Sequence, residues 1–391
     1  MKQRPSLSIV RDTMMEFSAL TGLEPPREAP KRYLWTDAFA VCNFLELYRQ
    51  TGEEKYKVLA LRLVDQVHHV LGRHRDSVSR SGWISGLDEL AGEKHPTAGG
   101  LRIGKEINER SPAEHYDERQ EWDRDGQYYH YLTKWMHALN RVSRVTEDAT
   151  YNLWAIELAK TAHAGFTYIP SFSNKKHLYW KMSIDLSRPL VKSMGQHDPL
   201  DGYITYHQLE ECEARAPENS RHPDLEQEIT DMAAICEGRS WITDDPLGIG
   251  GLLWDAFKAA QLTAAGSFEQ PGLLDILLDS SLVGLASFAE TNTLNLPADY
   301  RLAFRELGLS IGVWAAVKLR DLIGNESSRF KSGNSLYTKA QILMQYVPLA
   351  ETIEQFWREP TNQKADTWLE HREINMVTLA TSLAPDGFLV L

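Results

Sequence analysis

The sequence predicts an all-α protein of helical hairpins, arranged as an (α/α)6 toroid. Three observations carry that prediction: an internal repeat, a helical period in the apolar residues, and a shortage of strand signals. In the repeat, "LYRQTGEEKYKVLALRLVDQ" (47–66) aligns with "VSRVTEDATYNLWAIELAKT" (142–161) at a constant offset. Thr51 meets Thr146, Glu53 meets Asp148, Tyr56 meets Tyr151, Ala60 meets Ala155 and Leu63 meets Leu158. Each segment ends one helix, turns through a short polar link and begins another. The period agrees. Tyr56, Leu59, Ala60, Leu63, Val64, Val67, Val70 and Leu71 make the stripe of an amphipathic helix, and Leu132, Trp135, Met136, Leu139 and Val142 make another. Strand signals are confined to "LYWKMSIDLSRPLVKSM" (178–194), which reads as a small β-ribbon.

The remaining elements follow from breakers and period. Helices are predicted near 6–20, 201–214, 223–238, 247–265, 270–290, 299–323, 335–357 and 366–383. Gly266 and Gly324 stand at stops. Pro223, Pro246, Pro271 and Pro297 stand at or near starts. About twelve helices result, or six pairs if the N-terminal helix closes against the last one. Trp135, Trp154, Trp254 and Trp314 fall inside predicted helices and suit a core. The 391 residues are read as one domain, 1–391, with 74–124 as an inserted excursion folding over the mouth of the ring. In the excursion, Arg102 and Lys105 are candidates for meeting an acidic substrate. "GIGG" (248–251) is read as permitting close helix packing rather than holding phosphate.

Composition narrows the partners. With 42 basic against 54 acidic residues the net charge is −12, which argues against nucleic acid or an anionic membrane. Three scattered cysteines, Cys42, Cys212 and Cys236, suit neither a disulfide framework nor a thiolate zinc site. No HxH, HExxH or CxxC spacing occurs, so neither metal nor cofactor is expected. There is no apolar signal core or membrane-length run, and a cytoplasmic protein is expected. A homo-oligomer stays open.

The hairpin repeat and helix count resemble the six-hairpin glycosidase-like superfamily across essentially the whole chain, though no motif singles out one family. The resemblance implies an active site at the end of the ring where the inner helices begin. It also implies sugar chemistry.

Inner helices starting near 31, 126, 201, 247, 299 and 366 would bring six lead-in loops together. Every one carries a carboxylate, and five of the six carry an aromatic ring close to it, as a pyranose needs: rings for its apolar face, carboxylates for hydroxyls and protons. The first offers Trp35 and Asp37. The second offers Trp122, Asp123, Asp125, Tyr128, Tyr129 and His130. The third, "GQHDPLDGY" (195–203), offers Gln196, His197, Asp198 and Asp201. The fourth offers Trp241, Asp244 and Asp245; the fifth Tyr300, Arg301, Arg305 and Glu306; the sixth Trp368, His371 and Glu373. Aspartate before proline also caps helices, so Asp198 and Asp245 have a structural reading beside the functional one. Asp37 aligns with Leu132 on an inward stripe. It reads as a buried carboxylate rather than a cap, one that must be paired or do work. Arg301 or Arg305 could simply pair with Glu306.

The leading expectation is a glycoside hydrolase with two carboxylates flanking the scissile bond: Asp37 with Asp198, and Asp125 as the nearest substitute. Trp35, Tyr128, Tyr129, His130, Gln196, His197, Trp241, Asp245, Arg301, Arg305, Glu306 and His371 would bind substrate, a small molecule or oligosaccharide. The second expectation is a sugar epimerase, isomerase or lyase using His130 or His197 with His371, or a Tyr/His pair. The third is a non-enzymatic binding module.

Overall fold

The computed structural model describes residues 7–75, 80–171, 175–214 and 223–391. Ser6 of the first predicted helix and 76–79 of the predicted excursion lie outside the described residues. The chain forms two compact units, one of Ser18–Glu237 and one of the described residues up to Phe17 with Gly238–Leu391. The division falls inside α1 (Leu7–Thr21).

The first unit is built from the repeat. α2 (Leu34–Thr51) and α3 (Glu54–Leu71) are joined by two residues, and so are α6 (Tyr129–Thr146) and α7 (Ala149–Phe166), all four helices being 18 residues long. The aligned threonines act alike. Thr51 Oγ1 donates to the Leu47 carbonyl (2.7 Å) and accepts the Glu53 N–H; Thr146 Oγ1 donates to Val142 (2.8 Å) and accepts the Asp148 N–H. Gly52 and Glu147 both take left-handed φ, 71° and 59°, to reverse the chain. Between the hairpins lie α4 (Glu89–Lys94), α5 (Glu118–Asp123) and strand β1 (Gln127–Tyr128). After α7 come β2 (Thr167–Tyr168), β3 (His177–Leu178), β4 (Lys181–Met182) and β5 (Pro189–Val191). They form an antiparallel β1–β4–β5 sheet and a β2–β3 hairpin, so the expected ribbon is present. α8 (Asp198–Ala214) and α9 (Glu226–Cys236) make the third hairpin.

α2 packs on α3 and α6, and α6 on α7 and α8. α2 is buried on all sides from Leu34 to Leu47, as an inner helix must be. On α3 the whole predicted stripe is buried except Val70, which is half-buried. Residues 95–103 of the excursion are tied to the outer helices: His95 bonds Glu157, Thr97 donates to the Trp154 carbonyl, and Arg102 N–H donates to the Leu71 carbonyl. Leu101 and Ile103 are wholly buried. This stretch thus runs along α3 and α7, and the last helix of the excursion, α5, leads to β1 and α6.

The second unit repeats the plan. α10 (Pro246–Ala264) packs on α11 (Leu273–Glu290) and on α12 (Ala303–Asn325); α12 also packs on α13 (Gly333–Leu343), α14 (Val347–Arg358) and α16 (Arg372–Leu383). Two predicted helices are broken. The 335–357 stretch splits into α13 and α14 through a 3-10 turn at Met344–Tyr346, because Pro348 lacks the N–H that a continuous helix would use. The 366–383 stretch splits at His371 into α15 (Asp366–Glu370) and α16, and α17 (Asp386–Leu389) ends the chain. Arg372 of α16 pairs with Glu16 of α1. Of the four tryptophans expected in cores, Trp135 and Trp254 are buried, while Trp154 and Trp314 are half-buried.

α10 and α12 touch backbone to backbone, as read from "GIGG". A Cβ at Gly250 would lie 2.2 Å from the Gly308 carbonyl oxygen, and one at Gly312 would lie 2.5 Å from the Gly250 Cα. Because those neighbours are backbone, they cannot swing aside. Gly250→Ala is expected to destabilise the protein by at least about 1–3 kcal/mol, measured by urea unfolding.

Candidate functional site

In the first unit the starts of α2, α6 and α8 come together. The hydroxyl of Tyr33, the residue before α2, lies 2.8 Å from that of Tyr131 on α6, with ring centroids 5.6 Å apart. His130, second residue of α6, places Nδ1 3.8 Å from Oδ1 of Asp198, the first residue of α8. The small sheet orients this pair. Pairing of β1 with β4 brings Trp180 over the start of α6, where its carbonyl accepts the Tyr129 N–H and its indole N–H donates to His130 Nδ1 (3.3 Å). Nδ1 is therefore the acceptor, and the imidazole proton sits on Nε2.

The carboxylates differ sharply in their partners. Asp37 accepts the Tyr33 N–H (2.9 Å) and pairs with buried Arg32 (3.4 Å). Asp37 stands in the first turn, four residues after the N-cap residue Tyr33, and is not the cap; the charge it buries is paired. Asp125 is wholly buried. Its Oδ1 accepts the N–H groups of Gly104 (3.0 Å) and Gly126 (3.1 Å), and its Oδ2 accepts Arg102 (2.9 Å). Asp125 thus clamps the excursion to the start of α6. Arg102 and Lys105, expected to meet substrate, are spent inside the chain: Arg102 on Asp125, Val70 and Arg73, and the Lys105 ammonium on the Trp122 carbonyl. Asp201 pairs with Lys134 (2.7 Å) and accepts the Thr133 hydroxyl.

Asp198 is the exception. It is 7% exposed, and Oδ2 has no hydrogen-bond partner among the described residues. A Cβ at residue 195 would lie 2.4–2.5 Å from its carboxyl atoms, so Gly195 leaves the room it occupies. Burial, reinforced by Asp201 and opposed by Lys134, pushes its pKa up to about 7. The α8 dipole favours the ionised form at this position, yet desolvation prevails. His130 moves the other way, lowered to about 3 by burial and then by Lys134, so it is neutral near pH 7 and the two do not form an ion pair.

Aromatic rings gather around His130. Tyr128 is 5.4 Å from His130, Trp180 is 6.3 Å from both, and Trp122 meets Trp180 edge-on at 4.8 Å. Tyr128 is buried and its hydroxyl has no partner among the described residues. Tyr129, by contrast, is wholly buried between α6 and α8 with its hydroxyl on that of Tyr206 (2.8 Å). Trp35 is buried and packs on Phe39 along its own helix. His197 is half-buried and Gln196 is exposed, both just before α8. Trp180, Tyr131 and Lys134 were missing from the sequence-derived set. Trp180 belongs to the strand-like stretch just ahead of the third lead-in loop. Lys134 is one turn after His130, on the same face of α6.

In the second unit the starts of α10, α12 and α16 also meet. Asp245 caps α10 through the Gly248 N–H (2.9 Å) and pairs with Arg305. Arg301 and Glu306, both 2% exposed, form a buried two-pronged pair. His371 is half-buried against Phe304, and Trp241 is buried. Among the described residues no three His, Cys, Asp or Glu side chains group as a metal site, and no helix is long and apolar enough to cross a membrane.

No protein-family model and no curated protein matches the chain. Among solved structures it is similar to the GH76A alpha-1,6-mannanase from Salegentibacter sp. HEL1_6, at 13% identity and TM-score 0.51, over 97% of this chain and 98% of that one. A sugar epimerase from a ruminal bacterium aligns at 8% identity and TM-score 0.47, and a D-mannose isomerase at 10% and 0.43, each over 86% of both chains. The likeness to the mannanase shows the fold, an (α/α)6 toroid.

Proposed function

We propose that the chain is a sugar-active enzyme, a glycoside hydrolase, in which Asp198 is the proton donor. The observation that supports this most directly is a buried carboxyl with no hydrogen-bond partner for Oδ2, held partly protonated near neutral pH at a cluster of aromatic rings. A carboxylic acid of that kind is what protonates a departing glycosidic oxygen. The C1–O bond breaks, the oxygen leaves with the aglycone carrying the Asp198 proton, and water adds to the anomeric carbon and returns a proton to the Asp198 carboxylate. Neutral His130, fixed by Trp180, presents Nε2–H as a hydrogen-bond donor, while the half-buried Trp180 offers a face for the sugar. Asp37 and Asp125, the earlier candidates for the second carboxylate, are already engaged by Arg32 and Arg102, so the proposal rests on Asp198. The alpha-1,6-linked mannan named for the structural neighbour is the first substrate to try.

The engagement of those two acids favours one alternative. Asp198 and His130, 3.8 Å apart, lie side by side and so serve one face of a sugar, as an isomerase needs; an epimerase needs a further group on the opposite face. A single assay separates the readings. The protein is incubated with a panel of oligosaccharides, mannans included, and with free hexoses, in deuterated water. Release of reducing ends that Asp198→Asn abolishes supports the hydrolase. Deuterium on a sugar carbon without bond cleavage replaces it with the isomerase reading. Neither product from any sugar overturns both.

A further inference from the structure

One ring lies beyond what a single sugar at Asp198 would use. Trp122, on α5, is 40% exposed. Among the described residues its close ring neighbours are Trp180, edge-on at 78°, and Tyr128, at 6.3 Å and 33°. An edge-on neighbour covers only part of an indole, and the exposure is what remains. Water is a poor partner for that face, and the C–H face of a sugar ring is a good one.

The ring is also held in place. α5 is capped by the Asp117 side chain, which accepts the Arg119 (2.9 Å) and Gln120 (3.2 Å) N–H groups. Glu121, the adjacent residue, is 2% exposed and bonded to Arg110 (2.9 Å) and Lys181 (3.1 Å). The Trp122 carbonyl accepts the Lys105 ammonium. An exposed aromatic anchored this firmly on a six-residue helix loses little freedom when something stacks on it. Trp122, Trp180 and His130 form a run of rings from solvent to the acid, Trp180 being common to both ends.

We propose that the site takes an oligosaccharide rather than a single sugar, with one unit at Asp198 and a further unit of the same chain stacked on Trp122. This rests on the sugar-active reading of Asp198. The test measures binding by calorimetry in the full-length Asp198→Asn protein, with manno-, gluco- and galacto-oligosaccharides of increasing length, starting at the monosaccharide. In the series that binds, affinity is expected to rise about tenfold once the chain is long enough to reach Trp122. Trp122→Ala flattens that rise and Trp122→Phe keeps most of it, whereas a merely structural tryptophan would lower the affinity for every length alike. Measurable affinity that does not change with length, or a rise that survives Trp122→Ala, overturns this proposal and leaves the sugar-active reading standing. Absence of binding to every sugar, in wild type as well, overturns both. If the alanine variant fails to fold, Trp122→Leu in the same Asp198→Asn background takes its place, with the same outcomes.

Discussion

Asp198→Asn is expected to lower kcat by about 100- to 10,000-fold, the range lost with a positioned acid, and to make the protein more stable above neutral pH. The second effect follows from the burial that creates the first. The folded-state pKa of about 7 is raised above the ordinary carboxylate value of 3.8. Below about pH 4 the folded and unfolded chains are both protonated, so Asp198 contributes no pH dependence there. Between about pH 4 and 7 the unfolded chain has released its proton and the folded chain has kept it. The native state then binds more protons, so stability falls as pH rises. Above about pH 7 the penalty is complete, on the order of 4 kcal/mol at most. Asparagine does not ionise and escapes it. Urea unfolding of both proteins at pH 4, 6 and 8 should show curves that nearly coincide at pH 4 and separate at pH 8, the variant being the more stable. The wild-type rate should fall as pH climbs through about 7, since the donor must be protonated. A variant less stable than wild type at pH 8 would mean that Asp198 is ionised and paired in the folded chain, and the assignment of the acid would be lost.

What the sequence reveals of this molecule follows from the range of the interactions involved. Hairpins are legible because a helix stripe and a two-residue reversal are local. Thr51 and Thr146, 95 residues apart by the repeat, make the same bonds one turn back, and a reader of the chain sees both. Pro348 is equally local, but its effect depends on whether the helix around it can start again, so one predicted helix became two. The carboxylates are another matter. "HDP" (197–199) and "DDP" (244–246) look alike, yet Asp245 caps α10 while Asp198 leaves an oxygen unpartnered. The difference is made mostly by residues remote in sequence, Lys134 drawing off Asp201 and Trp180 holding His130, while neighbouring Gly195 leaves room. Asp125 was a candidate acid until Arg102, 23 residues earlier, came to rest on it. Trp180 is not legible at the helix starts, because it stands on the link just ahead of β4.

Arg301→Ala or Glu306→Ala is expected to destabilise the protein by about 3–5 kcal/mol, the loss typical of breaking one partner out of a buried ion pair. The geometry explains the size. Arg301 Nε donates to Glu306 Oε1 (2.9 Å), its terminal nitrogen donates to Oε2 (2.6 Å), and its other one donates to the Leu294 carbonyl (2.9 Å). The Phe356 ring lies 3.6 Å from the guanidinium, and the Trp357 indole donates to Glu306 Oε2 (2.7 Å). Truncating either side chain strands the other charge where water does not reach it. Removing both charges, as in Arg301→Met with Glu306→Leu, should be far milder than the sum of the single changes, although the Trp357 N–H then lacks its acceptor and about 1–3 kcal/mol is not recovered. Denaturant unfolding of the two single variants and the double variant gives the coupling directly. Both residues were candidates for gripping substrate, and the same variants test that role. If Arg301→Ala unfolded at the wild-type denaturant concentration and only raised KM, the pair would belong to substrate recognition. Loss of stability, with KM unchanged in the folded fraction, assigns it to holding the start of α12 in place.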